Sequence, residues 1–217
     1  MRNRFDRQLK TLNEKLTEMG MACEEVIALA ATALTESDME MAARVQGEDD
    51  EIDRLERDIE SLCLKMLLQQ QPVARDLRQI SAALKMITDL ERIGDQASDI
   101  AEIILFLDGK SGIESSDIKD MATSVIKMVN SSIEAYVKRD LELAKKVQAA
   151  DDEVDALFDK VKNTLVSMIT KSETDGEFAV DMLMIAKYFE RIGDHAVNVA
   201  EWVEFSLTGV HKGNIEM

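Results

Sequence analysis

Four pairs of carboxylates spaced four residues apart stand out in this sequence, because two of the pairs lie in identical motifs. The motif ERIGD occupies residues 91–95 and returns at residues 190–194. The other two pairs lie in the segments DDEID, residues 49–53, and DDEVD, residues 151–155. Residues at i and i+4 share one face of a helix, where like charges are unfavourable by about 0.2–0.5 kcal/mol per pair. A bound cation would offset this repulsion, so the spacing points to metal coordination.

The pairs are also matched in position along the chain. If the chain reverses at Pro72, Asp49 and Asp95 are equally far from the turn, and so are Asp53 and Glu91. The corresponding acids of the second half are level about a turn between residues 172 and 176. We therefore predict one four-carboxylate cluster in each half, extended by one more residue on the same helical stripe. The predicted metal ligands are Asp49, Asp53, Glu91, Asp95 and Asp99 in the first half, and Asp151, Asp155, Glu190, Asp194 and Asn198 in the second.

The chemistry of these side chains narrows the choice of metal. All-oxygen sites suit Mg, Ca, Mn or iron, whereas zinc and copper usually recruit thiolates or imidazoles. Asn198 stands where the first half has Asp99, so the two sites are expected to differ in affinity or nuclearity. A single acidic pair on a helix is more often a solvated face, so the prediction depends on the duplication and the shared register.

A glycine lies inside each ERIGD motif, although glycine costs a helix about 1 kcal/mol relative to alanine. We predict that Gly94 and Gly193 allow either a close helix approach or room for metal. Arg92 and Arg191 are expected to pair with neighbouring acids, which is the commoner outcome, or to bind an anion at the metal. His195 lies off the acidic stripe and is expected to be a surface histidine.

The elements that would position these residues are helices, because apolar residues recur every three or four positions along almost the whole sequence. Turn-forming and helix-terminating residues near positions 35–38, 71–72, 108–116, 138–140 and 172–176 divide the chain into six predicted helices. No strand is expected. Residues 38–53 align with 140–155 at an offset of 102 (140 − 38), and the ERIGD motifs align at an offset of 99 (190 − 91). The predicted fold class is therefore all-α, with two tandem, similar antiparallel three-helix bundles over residues 1–108 and 116–208.

Composition limits the partners and the environment. The chain has 217 residues, is 46% hydrophobic and 32% charged, and carries a formal net charge of −17. This composition does not supply the basic surface that holds nucleic acid, so cations or basic protein surfaces are the expected partners. No apolar run approaches the roughly 20 residues that span a bilayer, and the N-terminus lacks an apolar signal-type segment. We expect a soluble, cytoplasmic protein in which Cys23 and Cys63 are buried free thiols.

A further polar group opens the third helix. The segment QPVARDLRQI, residues 71–80, places Arg75, Asp76 and Arg78 just after Pro72, a residue tolerated at a helix start. The second half has no comparable set of arginines. These three residues are candidates for helix capping and ion pairing, or for binding a partner.

Taken as a set, QPVARDLR, DDEID, DDEVD and the paired ERIGD motifs resemble the PhoU family of accessory regulators of the phosphate-specific transport system. The resemblance covers nearly the whole chain. It implies two similar three-helix bundles, a homodimer, and metal on the paired acidic motifs, either iron in multinuclear clusters or Mn, Mg, Zn or Ca. It also implies a cytoplasmic role that damps phosphate uptake and phosphate-starvation signalling. The implied partners are the ATPase subunit of the phosphate ABC transporter and a phosphate-sensing histidine kinase, with only peripheral membrane contact through them.

Two other functions stay open at this point. A structural helical adaptor of another phosphate transporter would bind basic partners through its acidic faces without metal. A metal-dependent oxidase or hydrolase is less favoured, because helix-bundle di-iron enzymes use a Glu-x-x-His motif that this sequence lacks. The sequence also contains no P-loop and no HExxH motif. We therefore expect a protein that is not an enzyme and has no catalytic residues.

Overall fold

A computed structural model describes residues 2–70, 73–107 and 116–210, and this part of the chain forms six helices. The helices are α1 (Arg2–Glu36), α2 (Met39–Gln70), α3 (Ala74–Phe106), α4 (Ser116–Lys138), α5 (Leu141–Thr170) and α6 (Gly176–Thr208). No strand occurs within the described ranges, which confirms the all-α prediction. The predicted breaks at residues 71–72 and 108–115 lie outside the described residues. The division into 1–108 and 116–208 therefore stays a prediction.

The turns before α2 and α5 are built in the same way, at positions 102 residues apart (139 − 37). Ser37 and Arg139 each follow a helix and adopt left-handed backbone conformations, with φ of 54° and 58°. The next residue, Asp38 or Asp140, accepts a hydrogen bond from the backbone N–H three residues further on. This capping begins the following helix at the same point in both halves.

An ion pair between the first two helices of each half extends the repeat beyond the acidic motifs. Lys15 Nζ of α1 lies 2.8 Å from Asp58 Oδ2 of α2. In the second half, Lys160 Nζ of α5 lies 2.7 Å from Asp117 Oδ1 of α4. The four residues occupy equivalent positions at the offset of 102 (117 − 15 and 160 − 58), with the signs of the charges reversed. The two halves therefore share a helix order from α1 to α3 and from α4 to α6.

The two bundles share one hydrophobic core. The most extensive helix contact joins α3 to α6, one helix from each half, and α1 packs on α4 as well as on α2 and α3. Both α3 and α6 bury many more residues than α5. The ERIGD helices are therefore central, and α2 and α5 lie outside them. Cys23 and Cys63 are buried free thiols, as predicted. None of the helices in the described part of the chain contains an apolar stretch that could span a bilayer.

Candidate metal centres

The first cluster forms where α2 passes α3, at the level that the register predicts. Burial, followed by the negative charges of Asp95, Asp53 and Glu91, raises the pKa of Asp49 to about 6. Burial and the charge of Asp95 also raise the pKa of Glu91. The four carboxylates of the first half therefore act on one another, and a cation among them would relieve their repulsion.

The second cluster repeats this arrangement between α5 and α6. Burial, followed by the charges of Asp155, Asp194 and Glu190, raises the pKa of Asp151 to about 6. Asp155 and Asp194 are exposed, whereas their counterparts in the first half are partly buried. Solvent therefore screens the second cluster more strongly than the first.

The two ERIGD glycines make room for these carboxylates. A Cβ built on Gly94 would lie 2.4 Å from Asp49 Oδ1 and 2.9 Å from Ile52 Cδ1. A Cβ built on Gly193 would lie 3.3 Å from Asp151 Oδ1. Because glycine has no side chain, the carboxylate of the outer helix can rest against the backbone of the central one. The sequence predicted that the glycines allow either a close approach of the helices or room for metal. The structure shows the close approach, of α2 to α3 and of α5 to α6.

The first cluster contains a fifth carboxylate that the sequence motifs did not include. Burial and the charge of Asp53 raise the pKa of Glu56, which accepts a hydrogen bond from Thr88. Glu56 lies three residues after Asp53, so it shares the same helical face. Extending the acidic stripe by one turn would have found it.

The second cluster lacks this extra acid and has a lysine at the position of Thr88. Phe158 and Lys187 occupy the positions equivalent to Glu56 and Thr88 (158 − 56 = 102; 187 − 88 = 99). Lys187 forms an ion pair with Glu190, and its Nζ lies 5.4 Å from the centre of the Phe158 ring. The second cluster is therefore less negative and contains a resident cation.

The ERIGD arginines differ in their contacts. Arg92 Nη1 lies 2.9 Å from Asp95 Oδ2, and Arg92 Nε lies 3.5 Å from Glu91 Oε2. The predicted pairing with neighbouring acids is confirmed for Arg92. Arg191 of α6 instead interacts with Asp99 of α3, in the other half. Burial raises the pKa of Asp99, and the positive charge of Arg191 opposes this rise.

The outermost predicted ligands, Asp99 and Asn198, take part in contacts between the halves. Tyr188 of α6 donates a hydrogen bond to Asp99, and Asn198 Nδ2 donates one to Asp89 Oδ1 at 3.1 Å. The two bonds are equivalent in the repeat (188 − 89 and 198 − 99 are both 99). His195 Nδ1 also lies 3.0 Å from Asp89 Oδ1, with only 19% of its side chain exposed. The prediction of a surface histidine is wrong, because α6 packs against α3 of the other half.

The donors fit a hard cation, although the side chains do not enclose one as they stand. Among the His, Cys, Asp and Glu residues of the described part, no group of three is arranged to hold a metal ion. Arg92 and Lys187 instead neutralise part of the charge. Within residues 2–70, 73–107 and 116–210, buried Asp151 Oδ1 has no hydrogen-bond partner, which is costly for a carboxylate oxygen unless a ligand satisfies it. Metal binding would require carboxylate rotation, with every donor an oxygen.

The polar group at the start of α3 lies well away from both clusters. Arg75, Asp76 and Arg78 occupy the first turns of the helix, and Arg78 is about 24 Å along the axis from Gly94. Val73 stands at the N-cap and makes no side-chain capping bond. These residues are therefore not part of the candidate metal centres.

Two tandem three-helix bundles with an acidic cluster in each define a duplicated helical scaffold with two candidate ion sites. The family model described as the PhoU domain matches the chain twice, over residues 16–104 and 118–203. The chain therefore belongs to the PhoU family, as its motifs predict.

Individual relatives agree with this assignment over almost the whole chain. A protein of Clostridium acetobutylicum, named as a phosphate-specific transport system accessory protein PhoU homolog, is 36% identical over 207 residues, which is 94% of each chain. A similarly named protein of Thermotoga maritima is 34% identical over 207 residues, covering 94% of this chain and 89% of its own. The crystal structure of PhoU from Pseudomonas aeruginosa matches with a TM-score of 0.89 and 32% identity, over 95% of this chain and 100% of that one.

Proposed function

We propose that this chain is a cytoplasmic, metal-binding accessory protein of a phosphate ABC transporter that damps phosphate uptake and phosphate-starvation signalling. Relatives named as accessory proteins of the phosphate-specific transport system support the role in phosphate transport. The observation that supports metal binding is the duplicated carboxylate cluster. In each copy an acid of the outer helix, Asp49 or Asp151, rests against a glycine of the central helix and has a pKa raised to about 6.

In this proposal, two sets of acids hold iron, Mn, Mg, Zn or Ca. They are Asp49, Asp53, Glu91 and Asp95 with Glu56 beside them, and Asp151, Asp155, Glu190 and Asp194. The bound cation supplies the positive charge that neutralises the carboxylates. The protein places acids from two helices at one level, so an occupied site ties α2 to α3, or α5 to α6. A ligand that binds only the folded state at a hundredfold excess over its Kd stabilises that state by about 2.7 kcal/mol.

The proposed partners are the ATPase subunit of the phosphate transporter and a phosphate-sensing histidine kinase, and the proposed active form is a homodimer. A net charge of −17 favours basic protein surfaces over nucleic acid. Contact with the membrane is proposed only through the transporter. The two clusters have a structural and regulatory role in this proposal and perform no catalysis.

A complementation experiment tests the proposal. A strain lacking this chain receives the wild type, the cluster variant Asp95→Asn/Glu91→Gln, or the control variant Asp50→Asn/Asp152→Asn. Asp50 and Asp152 are exposed neighbours of the cluster acids, so the control removes two charges outside the clusters. In phosphate-rich medium, the deletion should leave phosphate uptake and a starvation reporter active. The wild type and the control should restore repression, and the cluster variant should fail while accumulating normally.

Other outcomes would support the competing functions. Full repression by the cluster variant, with the ATPase subunit still co-purifying, would favour a helical adaptor that works without metal. Hydrolysis of phosphate esters by the metal-loaded protein would favour a hydrolase. A deletion strain that still represses the reporter, in a genome with no second family member, would refute the regulatory role.

A further inference from the structure

Three arginines lie together at the end of the molecule where α3 begins, and the proposed function uses none of them in the metal sites. Arg75 and Arg78 lie in the first turns of α3, and Arg139 lies in the turn between α4 and α5. These three residues are termed the basic cluster below. In a chain with a net charge of −17, such a concentration of positive charge requires an explanation.

Specific contacts hold Arg139 against α3. Arg139 adopts a φ of 58° after the end of α4, and its Nη1 donates a hydrogen bond to Gln79 Oε1 at 3.1 Å. The backbone carbonyl of Gln79 accepts a second bond, from the hydroxyl of buried Tyr136 at 3.0 Å. Gln79 follows Arg78 directly and lies one turn after Arg75. The second half of the chain therefore places a guanidinium beside the two arginines of the first half.

One neighbouring acid, Asp76, balances only part of the charge of the basic cluster. In the described part of the chain, no ion pair joins Arg75, Arg78 or Arg139 to a carboxylate. Arg78 Nε is buried and has no hydrogen-bond partner among the described residues. Burial and the charges of Arg75 and Arg78 lower the pKa of Arg139, against opposing effects of Tyr136 and Asp76. The guanidinium groups of Arg75 and Arg78 thus repel that of Arg139.

The carboxyl end of α6 contacts one arginine of the basic cluster, Arg78. A Cβ built on Gly209, the residue that follows α6, would lie 3.6 Å from Arg78 Cδ. The carboxyl end of a helix favours a nearby cation, so Arg78 gains from this position. This contact does not satisfy Arg78 Nε and does not involve Arg75 or Arg139.

We propose that the basic cluster binds a doubly charged tetrahedral oxyanion of the phosphate type, either inorganic phosphate or the phosphate monoester of a small molecule. Three guanidinium groups and the carboxylate of Asp76 leave two positive charges, which a dianion neutralises. Guanidinium groups present forked N–H donors that match phosphate oxygens. The second half has Thr174 and Glu177 at the positions of Arg75 and Arg78 (174 − 75 and 177 − 78 are both 99). Each chain therefore has one such site.

The test is a calorimetric titration of the metal-free, full-length protein at constant ionic strength. Inorganic phosphate and glycerol phosphate are the two probes, and acetate and chloride are the comparison anions. We expect one phosphate-type site per chain in the wild type. Arg75→Gln and Arg139→Gln should each weaken binding about tenfold or more, because each removes charge-assisted hydrogen bonds. Arg44→Gln removes the same charge from an exposed position of α2 and should bind as the wild type does.

Thermal unfolding separates loss of a ligand from loss of the fold. Because Arg75 is exposed, Arg75→Gln should melt at the wild-type temperature in chloride and lose only the phosphate-induced stabilisation. Tighter binding of glycerol phosphate would identify a monoester as the ligand, and the reverse order would identify inorganic phosphate. Equal responses to phosphate and chloride, equal responses to phosphate and acetate, or unchanged affinity in both arginine variants would overturn the inference. The titration uses neither metal nor partner, so its result is independent of the proposed function.

Discussion

Replacing Asp49 or Asp151 by asparagine should stabilise the metal-free protein, although both residues belong to the candidate metal centres. Burial first, and neighbouring carboxylates second, raise the pKa of each to about 6, against an ordinary aspartate value of about 3.9. The folded state therefore holds these protons more tightly than the unfolded state does. The free energy of unfolding should fall as the pH rises from about 4 to about 6, and the loss should persist at higher pH.

The magnitude follows from the size of the pKa change. A pKa raised by about two corresponds to about 2.7 kcal/mol. Asp49 and Asp151 are partly exposed, so solvent screening reduces this to about 1–2 kcal/mol per residue. Asparagine has nearly the same shape and does not ionise. At pH 7 each substitution should raise the melting temperature by about 2–8 °C in a chain of this size, and the gain should shrink towards zero near pH 4.

The assay is thermal unfolding between pH 4 and pH 7, with a chelator and then with added Mn or iron. Asp50→Asn and Asp152→Asn are the matched controls, because they remove the same charge from the adjacent exposed positions. With metal present the sign should invert, since Asp49→Asn and Asp151→Asn lose a ligand charge. A loss of stability in chelator at pH 7, or an equal gain in the control variants, would refute the reasoning.

Four further substitutions test other contacts. Gly94→Ala should displace the Asp49 carboxylate oxygen, which would lie 2.4 Å from the new Cβ, and should weaken the first metal site. Gly193→Ala should be better tolerated, because the nearest atom would lie 3.3 Å from its Cβ. Equal metal affinities of the two variants in titrations would contradict the role given to the glycines. Lys187→Thr gives the second cluster the residue type of the first and removes the ion pair with a candidate ligand, so calorimetry should show tighter metal binding; unchanged affinity would mean that the lysine does not compete. Asp89→Ala removes the hydrogen-bond acceptor that His195 and Asn198 share. Denaturant titrations should show a free energy of unfolding lower by about 1–2 kcal/mol. A variant as stable as the wild type would argue against this contact between the halves.

The six helices and the level of the acidic pairs could be predicted because both depend on pattern within one hairpin. The period of the apolar residues indicates helices, and a constant rise per residue places acids at equal distances from a turn side by side. Asp49 and Asp95 are near one another for this reason. The αL turns at Ser37 and Arg139 then give both halves the same geometry.

The packing of one half on the other could not be predicted in the same way. Neither hairpin register says which face of α6 meets α3, so the bond of His195 to Asp89 was missed. The difference between the two clusters was missed for another reason. Glu56 and Lys187 lie outside the repeated motifs. Only an alignment of the two halves over their full length shows that Phe158 is equivalent to Glu56 and Thr88 to Lys187.

The amount of metal bound by purified protein tests most directly whether the two carboxylate clusters are cation sites. The wild type, the first-cluster variant Asp95→Asn/Glu91→Gln, the second-cluster variant Asp194→Asn/Glu190→Gln and the combined variant are loaded with Mn or iron, freed of excess metal and analysed for metal per chain. Circular dichroism checks that the helices remain formed. We expect each paired variant to lose about half of the bound metal and the combined variant to lose nearly all of it. Equal metal content in all four proteins would contradict the assignment and show that the clusters are solvated acidic faces.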